Sequence, residues 1–569
     1  MISVSGKIWT EQKVNKNLIE KFKQDYGFGD ILSKLIISRK YDASEIYGID
    51  NNQKLINIFK DDRDHQKASD ILINSINNKE NICILGDYDV DGTCATSLLV
   101  RFFKHINQKH FFYIPDRTKD GYGASTKLFQ KLLLKKPNLI IMVDCGSTSN
   151  KAIDYLKKHQ IKSIIIDHHE INRPYPKSNV IINPKKDSIK KESSLLCATA
   201  LTYFFIEILI NKTKSNFELS KFLIYVLLAT ICDVMPLRKI NKILARIAID
   251  NFVQKENKAI NYILEQHNFK KKLTIDDLGF LIGPIINSGG RLNKSNYGVE
   301  MLSSDDLDII KDRSNKLIKL NNKRKIIEKN ILDEIDFEKI ENVNRQVIIY
   351  YKDNLNEGII GIIASRLKDY FNKPSIVITK SQDKLKASAR STSSYNIGYL
   401  IKSLIDNNII DSGGGHNMAA GFTMKKANLK LLDNFIQDDY LKKNSNINCV
   451  NKYDFLLSSL SIKNKLINDI NKLQPFGNYN FIPTFLINNL KVIKHDVINN
   501  KHITVILKSD SGGSIKGICF NCLNTNIGHY LLSYKKKINI IGQISENIWN
   551  NKKTIQLNIK DLILSLNKS

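Results

Sequence analysis

The sequence lacks a long hydrophobic segment. Its most continuous apolar run, Phe222 to Cys232, has 11 residues and stops at Asp233, whereas a helix that crosses a bilayer needs about 20. The run therefore predicts a buried helix. The first residues, MISVSGKIWTEQK, also lack the apolar core and the small-residue cleavage site of an export signal. We expect a cytoplasmic protein that does not associate with a membrane.

Cysteine is scarce, and its spacing is not that of a metal site. The 8 cysteines are scattered, mostly inside apolar segments, and the one CxxC motif, Cys519–Cys522, has no second pair. Structural zinc sites need four ligands, which two such pairs commonly supply. The pattern predicts reduced, buried thiols and no zinc.

Acidic residues are outnumbered by basic ones. The 569 residues include 86 Lys and Arg against 57 Asp and Glu, a net charge of +29. A surface this basic favours a polyanionic partner such as nucleic acid. The chain is also rich in Lys, Ile and Asn, and such a compositional bias raises the charge without any such partner. Length, with 42% hydrophobic and 25% charged residues, predicts three or more globular domains.

Between residues 80 and 170, short apolar runs alternate with amphipathic stretches. The runs NICILG, FFYIP, LIIMV and SIII begin at residues 81, 111, 139 and 163. They predict strands, with helices directly after the first strand and near 126–136 and 149–159. Near-continuous apolar strands that alternate with helices are typical of a parallel, doubly wound sheet. Ligands bind such sheets beyond the carboxyl ends of the strands.

The rest of the chain divides by composition. We expect a helical, polar N-terminal segment over 1–75, the parallel-sheet domain over 76–302, a long solvated connecting helix over 303–340, a second and smaller α/β domain over 341–445, and a small antiparallel β-barrel over 446–569. Short alternating runs such as HITVIL and TIQLNIKDLIL predict the barrel. The expected fold class is α/β with an added barrel.

Three aspartates, Asp87, Asp89 and Asp91, follow the first of these strands in the segment GDYDVDGT. Carboxylates at alternate positions repel one another, so a cation is the simplest reason to hold them together. An EF-hand needs flanking helices and a Glu at position 12 of its loop, where this chain has a preceding strand and Leu99 near that place. A solvated acidic turn is the remaining alternative.

Similar residues recur at two later strand ends and after the apolar run. Asp144 lies in VDCGST, the triplet Asp167, His168 and His169 lies in IIIDHHE, and Asp233 ends the run. Oxygen ligands with one or two imidazoles suit Mg²⁺ or Mn²⁺ better than zinc, and the histidines favour Mn²⁺. Two such ions can clamp the attacking and leaving oxygens of a displacement at phosphorus. The pattern therefore indicates a phosphoesterase.

The motifs DYDVDG, VDCG and DHH, with the later Asp233, resemble those of the DHH phosphoesterase superfamily in order and in strand-end position. Within it, the chain is similar to the RecJ family of bacterial single-strand-specific exodeoxyribonucleases from about residue 45 onward. The same resemblance extends to PDRTKDGYG, INSGGRLN, GIIGIIASRLKDYFNKPSIV, GGHNMAAG, LQPFGNYNFIP, KHITVIL and NIWNNKKTIQLNIKD. It implies that the second α/β domain is a DHH-associated, substrate-binding domain and the barrel an OB-fold that binds nucleic acid.

The resemblance also implies a role for each matching residue. The implied ligands of two Mn²⁺ or Mg²⁺ ions are Asp89, Asp91, Asp144, His168 and Asp233, with Asp144 as the bridge. Asp87 and Asp167 would orient ligands or water, and His169 would contact the scissile phosphate. The implied DNA contacts are Arg117, Ser388 and Arg390 at the 5′-phosphate, Tyr122 as a stacking residue, and Arg291, Gly414 and His416 along the backbone.

Two positions depart from the family pattern. Leu85 stands where related enzymes often have a histidine, which removes one imidazole from the first metal site. The loop KASARSTSS is less rich in glycine than the GSGRS-like segment of the family. The first departure changes the ligands of one metal ion, whereas the second bears on specificity for a 5′-phosphate rather than on hydrolysis.

The resemblance implies a single-stranded-DNA-specific 5′→3′ exonuclease that releases 5′-mononucleotides in recombination and repair. It further implies a monomer that works with single-strand-binding protein and a RecQ-type helicase. Phe476, Tyr479 and Phe481 would either stack on bases or pack in the barrel core. The alternative is a DHH phosphodiesterase that acts on oligoribonucleotides or cyclic dinucleotides, and a third interpretation is a non-catalytic nucleic-acid clamp.

Overall fold

The structure, a computed structural model, describes residues 1–50, 53–116, 120, 123–186, 192–444, 450–510, 513–549 and 552–564. The chain folds into two compact units. We call the first, Met1–Lys54 with Pro236–Arg246 and Asn448–Ser569, the barrel unit, and the second, Leu55–Met235 with Ile247–Ile447, the sheet unit. The domain boundaries drawn from the sequence stay predictions.

The strands have between 2 and 15 residues, and the longest of them belong to the barrel unit. They are Ile8–Glu11 (β1), Ile82–Leu85 (β2), His110–Tyr113 (β3), Leu139–Val143 (β4), Lys162–Ile166 (β5), Val180–Ile182 (β6), Ile348–Tyr351 (β7), Ser375–Ser381 (β8), Lys384–Arg390 (β9), Ser412–Gly415 (β10), Ala419–Met424 (β11), Val450–Tyr453 (β12), Phe455–Leu456 (β13), Thr484–Ile498 (β14), His502–Ser509 (β15), Ser514–Cys519 (β16), Ile538–Trp549 (β17) and Lys552–Leu564 (β18).

The helices lie mostly in the sheet unit. They are Lys16–Tyr26 (α1), Asp30–Ser38 (α2), Ala43–Asp50 (α3), Arg63–Asn77 (α4), Val90–His105 (α5), Thr126–Leu133 (α6), Asn150–Lys158 (α7), Ala198–Thr213 (α8), Leu223–Cys232 (α9), Lys239–Asp250 (α10), Lys258–Gln266 (α11), Ile275–Asp277 (α12), Gly283–Arg291 (α13), Asn296–Leu302 (α14), Leu307–Asp333 (α15), Phe337–Asn342 (α16), Ile360–Phe371 (α17), Ile397–Asp406 (α18), Leu429–Asn444 (α19), Asn464–Asn471 (α20) and Asn526–Ser533 (α21).

The first sheet of the sheet unit is entirely parallel, with the order β3-β2-β4-β5-β6. The residues of β2, β4 and β6 are all buried, as are those of β5 after Lys162. Strands covered on both faces need the continuous apolar runs that predicted them. The prediction of a parallel, doubly wound sheet is confirmed, and the strand ends that carry acidic residues meet at one edge.

The long connecting helix exists as α15, but it is less solvated than expected. Ile310, Leu317 and Ile331 are buried along its 27 residues, together with the charged Glu328. These apolar positions are seven or fourteen residues apart and so form a stripe along one side of the helix. The stripe packs against α11, α13, α14 and α17. The dense charge of this segment hides the stripe in the sequence.

The second sheet has the order β10-β11-β9-β8-β7. Its strands are antiparallel except for β7 and β8, which are parallel. Helix α17 packs on β8 and β9. This smaller α/β domain was expected in this part of the chain.

In the barrel unit, β14, β15, β16, β18 and β17 close into a five-stranded barrel, because β14 pairs with both β15 and β17. The pairing of β16 with β18 is parallel, unlike the purely antiparallel barrel expected. The N-terminal segment is helical as predicted, but it also contains β1, which pairs with β12. Trp9 of β1 donates a hydrogen bond to the buried Asp561 of β18 at 2.9 Å, so the N-terminus belongs to the barrel unit.

The described cysteines are free thiols, and all of them except the half-buried Cys232 are buried as expected. Cys519 and Cys522 are free, buried thiols, and Cys522 Sγ donates to the Cys519 carbonyl at 3.3 Å. Cys449 lies outside the described residues. The apolar run forms the buried helix α9, and none of the described helices combines the length and apolar character needed to cross a membrane.

Lys242, on α10, is a buried lysine of the barrel unit. Its Nζ lies 3.3 Å from the Tyr41 hydroxyl and 4.6 Å from the centre of the Tyr41 ring. Burial and the charges of Arg246, Arg238 and Arg39 lower the pKa of Lys242 to about 7, although Glu45 opposes them. An ordinary lysine has a pKa of about 10.4, so the folded chain disfavours the charged form.

We expect Lys242→Met to stabilise the barrel unit at pH 7, by about 3 kcal/mol, since each unit of pKa difference corresponds to about 1.4 kcal/mol and some contact with Tyr41 is lost. The gain is full below pH 7 and shrinks as the pH rises toward 10, where the unfolded lysine also loses its proton. Urea unfolding at pH 7 and pH 9.5 measures it, followed by the fluorescence of Trp9 and Trp549, the two tryptophans of the chain, which both belong to the barrel unit. The exposed Lys535→Met is the control, and equal stability of Lys242→Met and the parent at pH 7 would contradict the prediction.

Candidate metal centre and its cleft

Two of the first three aspartates are held by backbone hydrogen-bond donors. Asp89 is the N-cap of α5 and accepts a hydrogen bond from the Gly92 amide at 3.0 Å. Asp91, in the first turn of α5, is 1% exposed and accepts hydrogen bonds from the first residues of α8. Asp87 is also buried. The carboxyl end of β2 therefore brings all three acids to the edge of the sheet.

Asp144 follows β4 in an unusual conformation. Its φ is +61°, in the left-handed region that few residues other than glycine, asparagine and aspartate adopt. It is 1% exposed, and neither of its carboxylate oxygens has a hydrogen-bond partner among the described residues. A buried carboxylate without hydrogen-bond partners is typical of a functional site.

The His168 ring faces three carboxylates without bonding to any of them. Its Nε2 lies 3.3 Å from Asp144 Oδ1, 3.4 Å from Asp233 Oδ2 and 3.6 Å from Asp91 Oδ2. No hydrogen bond of acceptable geometry joins it to them within the part of the chain that the structure describes. Ligand atoms that converge on one point in this way fit a cation between them.

The carboxylates of this cluster are strained electrostatically. Burial and the charges of Asp91, Asp89, Asp87 and Asp233 raise the pKa of Asp144 well above its usual range. The pKa of Asp233 is also raised, by burial and by the charges of Asp91 and Asp89. Burial lowers the pKa of His168, which keeps the imidazole in the neutral form that binds metals. A divalent cation would relieve the repulsion and satisfy the orphaned oxygens, so the residues fit such an ion.

The described residues contain three groups of ligand atoms within 4.8 Å of one another. They are Asp144 with His168 and His169, Asp91 with His168 and Asp233, and Asp87 with Asp89 and Asp144. Asp144 and His168 each belong to two of these groups.

Asp167 and His169 form a pair beside this cluster. Asp167 Oδ1 lies 2.8 Å from His169 Nδ1 and accepts hydrogen bonds from the His168 and His169 amides, while its Oδ2 accepts one from the Ser147 amide. Although burial raises it, the pKa of Asp167 falls below its usual range because of these bonds and the histidine charges. Burial lowers the pKa of His169, but Asp167, Asp233 and Asp87 raise it overall to about 9.

A cleft of about 890 Å³ opens beside the pair. Asp167, His169, Tyr88 and the Cys145–Ser149 loop line one part of it, and Ser388, Arg390 and the Ser412–His416 segment line another. The His416 ring is nearly parallel to that of His169, with their centres 6.5 Å apart. The cleft therefore extends from the Asp167–His169 pair to the glycine-rich strand β10.

Some of the residues expected to contact DNA line the cleft, and others do not. Arg390 Nη1 donates to Ser388 Oγ at 3.2 Å, and a side chain at Gly361 would approach both residues to 3.0 Å. Arg291 instead donates to the Gly358 carbonyl at 2.9 Å and does not line the cleft. Arg117 and Tyr122 lie outside the described residues.

Sequence reasoning missed two residues that hold the centre. Asn183 follows β6, and its Nδ2 donates to Ser147 Oγ at 2.8 Å and to the His169 carbonyl at 2.9 Å. The strand-end rule that located the acids could have found it. Thr199 donates to Asp91 Oδ1 at 2.6 Å, and its segment, CATAL, carries no comparable signal.

Three family models match the chain in order. The DHH family, N-terminal domain, matches residues 81–231, the DHHA1 domain matches 344–440, and the RecJ OB domain matches 453–561. Together they cover most of both units.

Named relatives match over most of the chain. The single-stranded-DNA-specific exonuclease RecJ of Bacillus subtilis (strain 168) is 26% identical over 570 residues, which cover 98% of this chain and 71% of that protein. The protein of the same name from Escherichia coli (strain K12) is 26% identical and covers 85% of this chain and 90% of its own length. These matches run through both units rather than through one domain.

Solved structures share the fold. The crystal structure of RecJ in complex with Mn²⁺ from Thermus thermophilus superposes with a TM-score of 0.83 at 19% identity, over 98% of this chain and 79% of that one. The complex of RecJ with Mg²⁺ from the same organism superposes with a TM-score of 0.76 at 18% identity, over 98% and 78%.

Proposed function

Because the chain belongs to the RecJ family of the DHH phosphoesterase superfamily, we propose that it is a single-stranded-DNA-specific exonuclease. It would hydrolyse phosphodiesters from the 5′ end, release 5′-mononucleotides and act in DNA recombination and repair. The observation that carries the proposal is His168, whose Nε2 lies within 3.6 Å of three carboxylates beside a cleft that also contains Arg390.

The residues that would hold two Mn²⁺ or Mg²⁺ ions are Asp89, Asp91, Asp144, His168 and Asp233. When bound, such ions supply positive charge to the phosphate and lower the pKa of a nucleophilic water. Asp144 is the shared ligand in this proposal, since Asp144 and His168 each belong to two of the three ligand groups and only the carboxylate has two oxygens to offer to two ions.

His169 would contact the scissile phosphate. Asp167 would hold the proton on His169 Nδ1, which leaves the second proton of the imidazolium, on Nε2, for a ligand in the cleft that His169 lines. A pKa of about 9 keeps His169 charged at neutral pH. The ring can then donate to a phosphate oxygen and stabilise the charge that develops there.

The cleft wall opposite His169 would bind the DNA backbone. Ser388 and Arg390 offer a hydroxyl and a guanidinium to a terminal 5′-phosphate. Gly414 and His416 lie on and directly after β10, whose exposed glycines allow a strand to approach the backbone amides. Roles for Arg117, Tyr122 and Arg291 stay predictions.

The barrel unit would also bind the single strand. Tyr479 and Phe481 are both 64% exposed, so they are free to stack on bases, whereas Phe476 packs against the barrel core. Single-strand-binding protein and a RecQ-type helicase stay predictions as partners, as do a monomeric state and a cytoplasmic location.

The proposal is tested by digestion of matched DNA substrates. We expect Mn²⁺-dependent release of mononucleotides from single strands and from 5′-tailed duplexes, and little from 3′-tailed or blunt duplexes. EDTA should stop the reaction. Cleavage confined to dinucleotides would favour the short-substrate phosphodiesterase instead, and a chain that binds DNA but cleaves nothing would favour the clamp.

We expect Arg390→Ala to reduce the preference for a 5′-phosphorylated end by about tenfold, because a charged hydrogen bond to phosphate contributes about 1.5–3 kcal/mol. The ratio of kcat/KM on 5′-phosphorylated and 5′-hydroxyl oligonucleotides measures this preference. Arg345→Ala is the control, because Arg345 pairs with Asp433 on the surface of the same domain. An unchanged ratio in Arg390→Ala would remove Arg390 from the phosphate site.

A further inference from the structure

The N-terminus of α8 holds the carboxylate of Asp91 from the far side of the metal cluster. Asp91 Oδ2 accepts a hydrogen bond from the Ala198 amide at 2.7 Å, and Oδ1 accepts one from the Thr199 amide at 2.7 Å. These are the first two residues of the 16-residue helix, whose N-terminal amides have no partners within the helix. The carboxylate of Asp91 therefore caps α8 although it lies 107 residues earlier in the chain.

The hydroxyl of Thr199 adds a third bond. Thr199 Oγ1 lies 2.6 Å from Asp91 Oδ1 and 2.9 Å from the Asp91 carbonyl oxygen. Thr199 is fully buried, so no water competes for its proton. A single side chain thus contacts both the carboxylate and the backbone of Asp91.

The two carboxylate oxygens of Asp91 therefore have different partners. Oδ1 receives both bonds from Thr199, whereas Oδ2 receives one amide bond and also lies 3.6 Å from His168 Nε2. Rotation of the carboxylate about its Cβ–Cγ bond would break the bonds to Thr199. The Ala198 and Thr199 amides and the Thr199 hydroxyl together keep Oδ2 turned toward His168 and Asp233, and the hydroxyl is the part of this support that a side-chain substitution can remove.

We propose that Thr199 is a positioning residue that holds Asp91 in its metal-binding orientation. The inference rests on the proposed function, because it concerns the ion that Asp91, His168 and Asp233 would share. Groups that orient a metal ligand commonly change the affinity for the metal by about 10–100-fold when they are removed.

The test is titration calorimetry of the whole chain with Mn²⁺. We expect Thr199→Val, which keeps the shape and removes the hydroxyl, to weaken Mn²⁺ binding by about tenfold. Thr199→Ser, which restores the hydroxyl, should bind nearly as tightly as the parent. A role in folding alone would lower the melting temperature and leave the Mn²⁺ affinity of the folded chain unchanged.

Thr202→Val is the matched control. Thr202 is on the same helix and fully buried, and its hydroxyl has no hydrogen-bond partner in the described part of the chain. This variant should bind Mn²⁺ like the parent. Parent-like Mn²⁺ affinity in Thr199→Val would overturn the positioning role and leave the proposed nuclease intact, whereas a parent chain that neither binds Mn²⁺ nor digests DNA would overturn the proposed function itself.

Discussion

Asp144→Asn is expected to abolish digestion of single-stranded DNA and, at the same time, to make the metal-free chain more stable. Loss of the shared ligand should lower kcat by about 1,000-fold or more, because the charge that would hold both ions disappears. The stability gain follows from the pKa of Asp144, which burial and four neighbouring carboxylates raise. At pH values above the ordinary pKa of an aspartate, the Asp144 carboxyl group lowers the free energy of unfolding, whereas a neutral asparagine amide does not.

Asparagine is a better replacement than alanine here because of the backbone. Asp144 has a φ of +61°, which asparagine adopts readily and alanine does not. An alanine variant would lose the carboxylate and also strain the turn after β4. With asparagine, a loss of activity therefore reports on the carboxylate.

Three measurements on Asp144→Asn separate the effects. Digestion of a 5′-phosphorylated single strand gives the rate, calorimetry gives the Mn²⁺ affinity, and thermal unfolding in EDTA gives the melting temperature, which should rise by a few degrees. DNA binding should change little. Asp154→Asn is the control, because Asp154 lies on α7, the helix between β4 and β5. Activity within tenfold of the parent would show that Asp144 is not the shared ligand.

The location of the acidic cluster could be predicted because it depends on local pattern. The apolar runs before Asp87, Asp144 and Asp167 form strands. Their continuous hydrophobic character is typical of parallel strands that are covered on both faces. In such a sheet the strand ends meet at one edge, so residues far apart in sequence are brought together by topology alone. Asp233 could be placed by the same reasoning, because a carboxylate that ends a buried helix needs a partner.

The remaining contacts depend on packing between segments that carry no shared pattern. Thr199 reaches Asp91 because α5 and α8 pack together. The sequence of neither helix indicates that it packs against the other. Arg291 resembles a phosphate contact in sequence, yet its guanidinium donates to the Gly358 carbonyl. The pairing of β1 with β12 joins distant parts of the chain, a contact that composition and periodicity do not encode. Buried positions of α15 were obscured by the charge around them.

Asp167→Asn is expected to lower kcat by about 100-fold at pH 8 and to change the shape of the pH profile. In the parent, Asp167 raises the pKa of His169 to about 9, so the imidazolium persists through neutral pH and is lost as the pH rises through 9. Without the carboxylate, the pKa of His169 falls toward the ordinary 6.5, and the imidazolium is lost at a correspondingly lower pH. Loss of one charged donor to a developing oxyanion lowers kcat by about 100- to 1,000-fold.

The pH dependence distinguishes this role from a structural one. The rate of Asp167→Asn should begin to fall near pH 6.5, whereas that of the parent should hold until about pH 9. Simple disruption of the Ser147 and His168 amide bonds to Asp167 would lower the rate at every pH by the same factor. Asn183→Ala offers a matched comparison, because it removes the bonds to Ser147 and to the His169 carbonyl without touching the Asp167 charge. Asn183→Ala should lower the rate and keep the pH profile of the parent. A shifted profile in Asn183→Ala would show that the His169 proton does not limit the reaction. An unshifted profile in Asp167→Asn would show the same.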